Sequence, residues 1–281
     1  MEQYRPTGFR ILPPVVKNLL IINGLFFLAT IAFQSAFRID LTDTFGMHYF
    51  GSEKFKPYQI ITYMFMHGGF GHIFFNMFAV WMFGNVLENY WGPKRFLTYY
   101  MITGIGAILI QMLIMYIGVS SVQHIIEAYI SNPSPGSFEN ILTDHFKGYY
   151  NPEVVNSFLV NFSDKPHDAF LAQQSIDMLN SLLKFKMDIP TVGASGAIFG
   201  VLLAFGMLFP NSLIYVYFAI PIKAKWFVII YGALELYSGI ANNPGDNVAH
   251  FAHLGGMLFG IILILYWKKH FKEGNNNSTF T

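Results

Sequence analysis

The sequence predicts an all-α membrane protein of six transmembrane helices, with an extracytoplasmic helical insert between spans three and four. Three observations predict it. Of 281 residues, 53% are hydrophobic and only 12% charged, against about 25% charged in soluble domains. Apolar runs recur at a length that suits a bilayer, where a spanning helix needs about 20 residues. The 18% aromatic content also fits, because Trp and Tyr settle at membrane interfaces.

The elements follow in order. Residues 18–37 are the first apolar run. Polar residues up to Lys17 precede it without a small-residue cleavage site, so it reads as a retained span and not a signal peptide. Residues 72–90 are the second, closed by Trp91-Gly92-Pro93, and residues 96–118 the third. Between positions 119 and 188 lie eight acidic and four basic residues with Pro133, Pro135 and Pro152, so this stretch does not span. Inside it Val122, Ile125, Ile126, Tyr129 and Ile130 recur at helical spacing, as do Phe170, Ile176, Leu179, Leu182 and Leu183; this marks an amphipathic helical insert. Runs resume at 190–209, 226–240 and 248–267. The chain thus divides into an N-terminal segment (1–17), spans one to three (18–118), the insert (119–188), spans four to six (189–267) and a tail (268–281).

Six spans put both termini on one side. Arg10, Lys17, Lys94, Arg95, Lys223, Lys225, Lys268, Lys269 and Lys272 all fall on that side, and the loop between spans five and six has no Lys or Arg. The positive-inside rule then makes the termini cytoplasmic and the insert external, as in a multi-pass protein of a bacterial inner membrane. Arg38, Lys54 and Lys56 run against the rule without outweighing it. A net charge of +1 and the lack of a basic stripe argue against nucleic acid as a partner; the expected partner is the lipid bilayer. With no cysteine, disulfides, thiol catalysis and thiolate metal sites are excluded.

Two reactive side chains stand inside the apolar runs. Ser195 lies in Gly193-Ala194-Ser195-Gly196, and His253 lies in the last span. Such groups at membrane depth are costly and so functional by default. Each follows the last charge before its span, Asp188 or Asp246, by seven residues; at the helical rise both sit about 10 Å inside the outer face. Gly196 and Gly200 form a small-xxx-small pair beside Ser195, and Gly256 and Gly260 form one after His253. Packing those faces together brings hydroxyl and imidazole within reach. A serine hydroxyl needs a base to take its proton, and histidine is the usual one near neutral pH. Gly193 and Gly196 leave room for a peptide backbone, and a helix start offers unpaired N–H groups to an oxyanion. The Gly-x-Ser-Gly-Ala run is not the nucleophile elbow of α/β-hydrolases, and no strands are read in the sequence.

A further cluster is His67, His72 and Asn76. His72 and Asn76 share one helix face at i, i+4, and both can donate a hydrogen bond to an oxyanion. Other intramembrane chemistries fit less well. His67 and His72 are five apart with no Glu between, which fails the zinc-protease pattern. Glu88 and Glu235 alone fall inside spans, a poor basis for a carboxylate pair. A metal site built from His67, His72, His250 and His253 lacks a carboxylate to orient its ligands, so no metal or other cofactor is expected. A transporter would show repeat symmetry, and none is seen.

Three segments in order, His67-Gly-Gly-Phe-Gly-His72-Ile-Phe-Phe-Asn76, Gly193-Ala-Ser195-Gly196-Ala-Ile-Phe199-Gly200 and Ala252-His253-Leu-Gly-Gly256-Met-Leu-Phe-Gly260, resemble the rhomboid family of intramembrane serine proteases. The resemblance covers residues 57–267 apart from the insert. It implies a six-helix rhomboid bundle that cuts transmembrane protein substrates near the outer face. Ser195 would be the nucleophile and His253 the base, a dyad without a third acid. His72, Asn76 and the Ser195 N–H would hold the oxyanion, and Glu88 would have a structural role at the inner end of span two. The motif after His253 selects it over His250. Phe199 stands where the family often has a Tyr packed on the imidazole, and Tyr58-Gln59 replaces the Trp-Arg pair common in the first outer loop. The alternative is a rhomboid-like pseudoprotease that binds or chaperones membrane proteins without cutting; the presence of both Ser195 and His253 argues against it.

Overall fold

The computed structural model describes residues 10–216, 219–241 and 248–276, which are mostly helical. The first helix, α1 (Pro14–Phe37), opens on a proline at its first position, where the missing N–H would have been unpaired anyway. It ends where Arg38 turns to a φ of 59°. The amides of Val15 and Val16 donate to the two oxygens of Glu88, at 2.9 and 2.8 Å. A helix start is the favoured place for such an anion, so Glu88 joins the first span to the second.

The loop after α1 contains α2 (Leu41–Phe45) and leads to α3 (Gln59–Thr62) and a short 3-10 turn, Tyr63–Phe65. Buried Gln59 holds it together. Its carbonyl oxygen accepts from the amides of Lys56 (3.0 Å) and His48 (3.4 Å), while its NH2 donates to the carbonyls of Lys54 (3.1 Å) and Thr44 (3.2 Å). One amide side chain thus binds three parts of the loop, each polar group satisfied as burial demands.

The second span is continuous from Phe70 to Trp91: α4 (Phe70–Ala79), one π-helical turn at Val80–Gly84, and α5 (Asn85–Trp91). The third, α6 (Pro93–Ser131), has 39 residues, about 58 Å at the helical rise. It does not stop at residue 118 as expected. No breaker intervenes until Asn132, held out of helical geometry before Pro133, and Val119, Val122, Ile126 and Tyr129 keep one buried stripe running past that point. The insert therefore grows on an extension of the third span. Its own helices, α7 (Pro135–His145), α8 (Pro152–Asp164) and α9 (Ala169–Met187), are capped by Ser134, Asn151 and Asp168, the residue types that accept from orphan amides. Phe138, Leu142, Phe146, Phe162 and Leu179 are buried, and Tyr129 shares a 2.6 Å hydrogen bond with Ser175. At the base of the insert the Ser52 hydroxyl donates to Asp188 at 2.5 Å, and Met47 and Thr191 exchange backbone hydrogen bonds of 2.9 and 2.8 Å.

The expected run at 190–209 is helical only as α10 (Ser195–Leu208). Pro190 has no N–H, Thr191 pairs with Met47, and Gly193 has φ +123°, a conformation glycine adopts readily. Every residue from Gly196 to Gly206 is buried, as suits the central helix of a bundle. The reading of no strands fails at one place: β1 (Leu213–Val216) and β2 (Ile220–Lys223) form an antiparallel hairpin before α11 (Ala224–Ala241). Its Ile, Tyr and Val content suits strands, and Pro221 is tolerated because both strands are edges. The last helix is α12 (His250–Asn276). Asp246 and its loop lie outside the described residues, as do residues 1–9 and 277–281.

Among the described residues four helices are long and apolar enough to cross a membrane: Pro14–Phe37, Phe70–Trp91, Pro93–Ser131 and His250–His270. Ser195–Leu208 is a shorter apolar helix, and Ala224–Ala241 carries Lys225 and Glu235. Lipid provides no hydrophobic drive between such helices, so close approach matters. A side chain at Gly256 would collide with the Gly196 carbonyl; one at Gly196 would meet Ala107 at 2.5 Å, and one at Gly200 would meet Thr103 at 2.6 Å. Gly260 lies against the Tyr99 hydroxyl, which donates to the Gly200 carbonyl at 2.8 Å. The small residues thus build the contact of α10 with α12 that their spacing suggested, and bring in α6 as a third helix of the junction.

Candidate active site

Ser195 is the first residue of α10 and His253 lies in the first turn of α12. The close approach of Gly256 to Gly196 brings these two helix starts together. The Ser195 hydroxyl and His253 Nε2 are 2.8 Å apart, hydrogen-bond length. Phe199, one turn along from Ser195, stacks on the imidazole with centroids 4.1 Å apart and planes 8° from parallel. The ring packing that a tyrosine would give is present without the hydroxyl.

His72 and Asn76 come from α4. The Gly193 amide donates to the Tyr63 carbonyl at 2.9 Å, fixing the extended run before Ser195. A Cβ on Gly193 would lie 2.7 Å from His72 Nε2 and 3.6 Å from the Ser195 hydroxyl. Both groups therefore flank one bare stretch of backbone. His72 Nδ1 faces the Gly68 amide at 3.4 Å, and Nε2 is the ring nitrogen turned towards Gly193. Asn76 is buried and its side-chain NH2 has no acceptor among the described residues. His67 packs edge-on against His72, with centroids 5.0 Å apart, and does not approach His253's hydrogen bonds.

One residue escaped the sequence reading. Glu235, on α11, accepts from His253 Nδ1 at 2.8 Å and from His250 Nδ1 at 2.6 Å, both through Oε2. The pair expected to lack an acid has a carboxylate behind its histidine. The only signal was a Glu inside an apolar run, and a separation of 18 residues on another helix hid its partner. Glu235 is also the carboxylate that the four-histidine metal set lacked, but that set is not assembled: the cluster is Glu235, His250 and His253, with ligand-type atoms within 4.8 Å of one another. Separations of 2.6 and 2.8 Å are hydrogen bonds, so these atoms already satisfy one another.

A serine and a histidine joined at buried helix starts, with donors to one side and apolar helices all round, define a polytopic membrane protein built around a Ser–His site. Residues 54–123 and 169–270 match the family model of the rhomboid domain, more than half of the chain, and the protein belongs to the rhomboid family. It is similar to the mitochondrial Rhomboid protein 1 of Saccharomyces cerevisiae, 24% identical over 212 residues, which cover 75% of this chain and 42% of that one. The chain thus spans less than half the length of the curated relative it matches. The two matched stretches leave out residues 124–168, the C-terminal end of α6 with α7 and α8.

Proposed function

We propose that this multi-pass membrane protein is an intramembrane serine endopeptidase, cutting transmembrane substrates near the outer face of the bilayer. In this reading the bundle has six spans, the termini are cytoplasmic, the insert is external and the membrane is a bacterial inner membrane. The observation that carries the activity is the 2.8 Å contact between the Ser195 hydroxyl and His253 Nε2. His253 takes the hydroxyl proton as Ser195 Oγ attacks the substrate carbonyl carbon, forming a tetrahedral oxyanion. The Ser195 amide, at the first helical position and so without a helical acceptor, points its N–H at the developing charge. His72 Nε2–H and the Asn76 NH2 join it. An unpaired buried donor is costly, and Asn76 finds its acceptor when the oxyanion forms. His253 then gives its proton to the leaving amine, and the acyl-enzyme remains. A water, deprotonated by His253, attacks the ester carbonyl, and the returning proton restores Ser195 as the acid product leaves.

The substrate segment must be unwound where it is cut, because a helical peptide bond is enclosed by its own hydrogen bonds. The test is cleavage of a fluorogenic transmembrane peptide by the purified protein beside Ser195→Ala and His253→Ala. Both variants should lose cleavage while remaining folded, and the double variant should be no worse than either. Cleavage by Ser195→Ala at the wild-type rate would refute the proposal. Binding without cleavage by the wild type would move the chain to the non-cleaving alternative.

A further inference from the structure

We propose that Glu235 is a positioning residue for the Ser195–His253 pair, and that His250 holds Glu235 in place. The catalytic consequence rests on the protease reading above; the tautomer it imposes rests on the hydrogen bonds alone.

A carboxylate 8% exposed within an apolar helix is costly unless its oxygens are paired. Glu235 Oε2 faces Nδ1 of both histidines. An ionised carboxylate only accepts, so both imidazoles carry their proton on Nδ1. That leaves the His253 Nε2 lone pair towards Ser195, and the hydroxyl donates to it. The opposite tautomer would set a lone pair against the carboxylate and an N–H against the nucleophile. When the Ser195 proton moves to Nε2, the imidazolium lies between the Phe199 face and the Glu235 charge. Its Nδ1 proton stays on Nδ1, and Glu235 is never protonated in the cycle.

His250 and His253 are three apart on α12 and share a face, while Glu235 comes from α11. The second bond, from His250 at 2.6 Å, keeps the carboxylate from turning away from His253. A merely structural tie between the two helices makes a different demand. Glutamine at 235 would keep the shape and could still accept from one histidine. It differs in having no charge and in presenting an amide N–H that can donate, and that difference separates the two roles.

The experiment uses the full chain in detergent as wild type, Glu235→Gln, Glu235→Asp, His250→Gln and Ser195→Ala. Turnover and KM are measured on a fluorogenic transmembrane peptide. Nitrogen-15 spectra of histidine-labelled protein report which ring nitrogen of His253 carries the proton. Glu235→Gln should lower kcat by about 10²- to 10⁴-fold, as loss of the orienting acid does in serine proteases, with KM nearly unchanged, and should move the His253 proton to Nε2. Glu235→Asp should keep the proton on Nδ1 and recover part of the turnover. His250→Gln should cost about tenfold or less. Turnover of Glu235→Gln close to wild type, or a loss with the His253 tautomer unchanged, would overturn the proposal. If Glu235→Gln does not fold, the wild-type spectrum decides: a His253 proton on Nε2 overturns it and one on Nδ1 supports it. A wild type no faster than Ser195→Ala would defeat the protease reading instead, and the tautomer would then judge Glu235 alone.

Discussion

The Gly196 carbonyl fills the space that a side chain on Gly256 would need, so α10 and α12 meet backbone to backbone. The contact lies one residue past Ser195 and three past His253. Gly256→Ala must push the helices apart. Overpacking of this kind costs about 1–3 kcal/mol, and a displacement of the dyad by about 1 Å lowers turnover about a hundredfold. Thermal unfolding and peptide cleavage measure both. Gly118→Ala, with open space around it, is the control: it should leave cleavage unchanged and stabilise α6 by up to about 1 kcal/mol.

Asn76→Ala and His72→Ala should each lower kcat by roughly tenfold to a thousandfold, the cost of one oxyanion donor. KM should change little, since the donors act on charge present only in the transition state. Steady-state kinetics in detergent separates the two parameters, and a raised KM at unchanged kcat would assign both residues to packing.

Glu88→Ala leaves the amides of Val15 and Val16 without their acceptor. The expected loss is about 1–3 kcal/mol of stability with kcat nearly intact, since α1 contributes no group to the site. A melting curve alongside the cleavage assay tests this. A large fall in kcat at unchanged melting temperature would contradict it.

The insert is expected to act as a cap on access to the site. Residues 132–168 can be replaced by a short Gly-Ser linker from Ser131 to Ala169, since Tyr129 and Ser175 already bring α6 and α9 together. The shortened protein should still react with a small fluorophosphonate at Ser195, while its preference among full transmembrane substrates broadens or shifts. Loss of fluorophosphonate labelling would make the insert a support for the site.

What the sequence made legible was what is local. Apolar runs showed helices, and the motif around Ser195 and the histidine before Leu254 singled out the two side chains that meet at 2.8 Å. Helix ends were less legible where polarity and backbone geometry disagree: charges after Gly118 read as a break, yet the buried stripe carries α6 on to Ser131. At Pro190–Gly193 the composition is span-like, but a proline, a bridge to Met47 and a positive φ keep it extended. Glu235 was hidden for a different reason. Its meaning lies in the crossing of α11 and α12, which no spacing along the chain encodes.

The shortness of α10 has a consequence for the supply of reactants. Fourteen residues reach about 21 Å at the helical rise, against about 30 Å of hydrocarbon, while the helices of 24, 22 and 39 residues are long enough to face lipid throughout. Ser195 is the first residue of that short helix, so in the proposed enzyme the missing length would leave room for water beside it. Hydrolysis consumes one water for every bond cut, and oil holds almost none. In the proposed enzyme the length of a single helix therefore sets where the second reactant can stand.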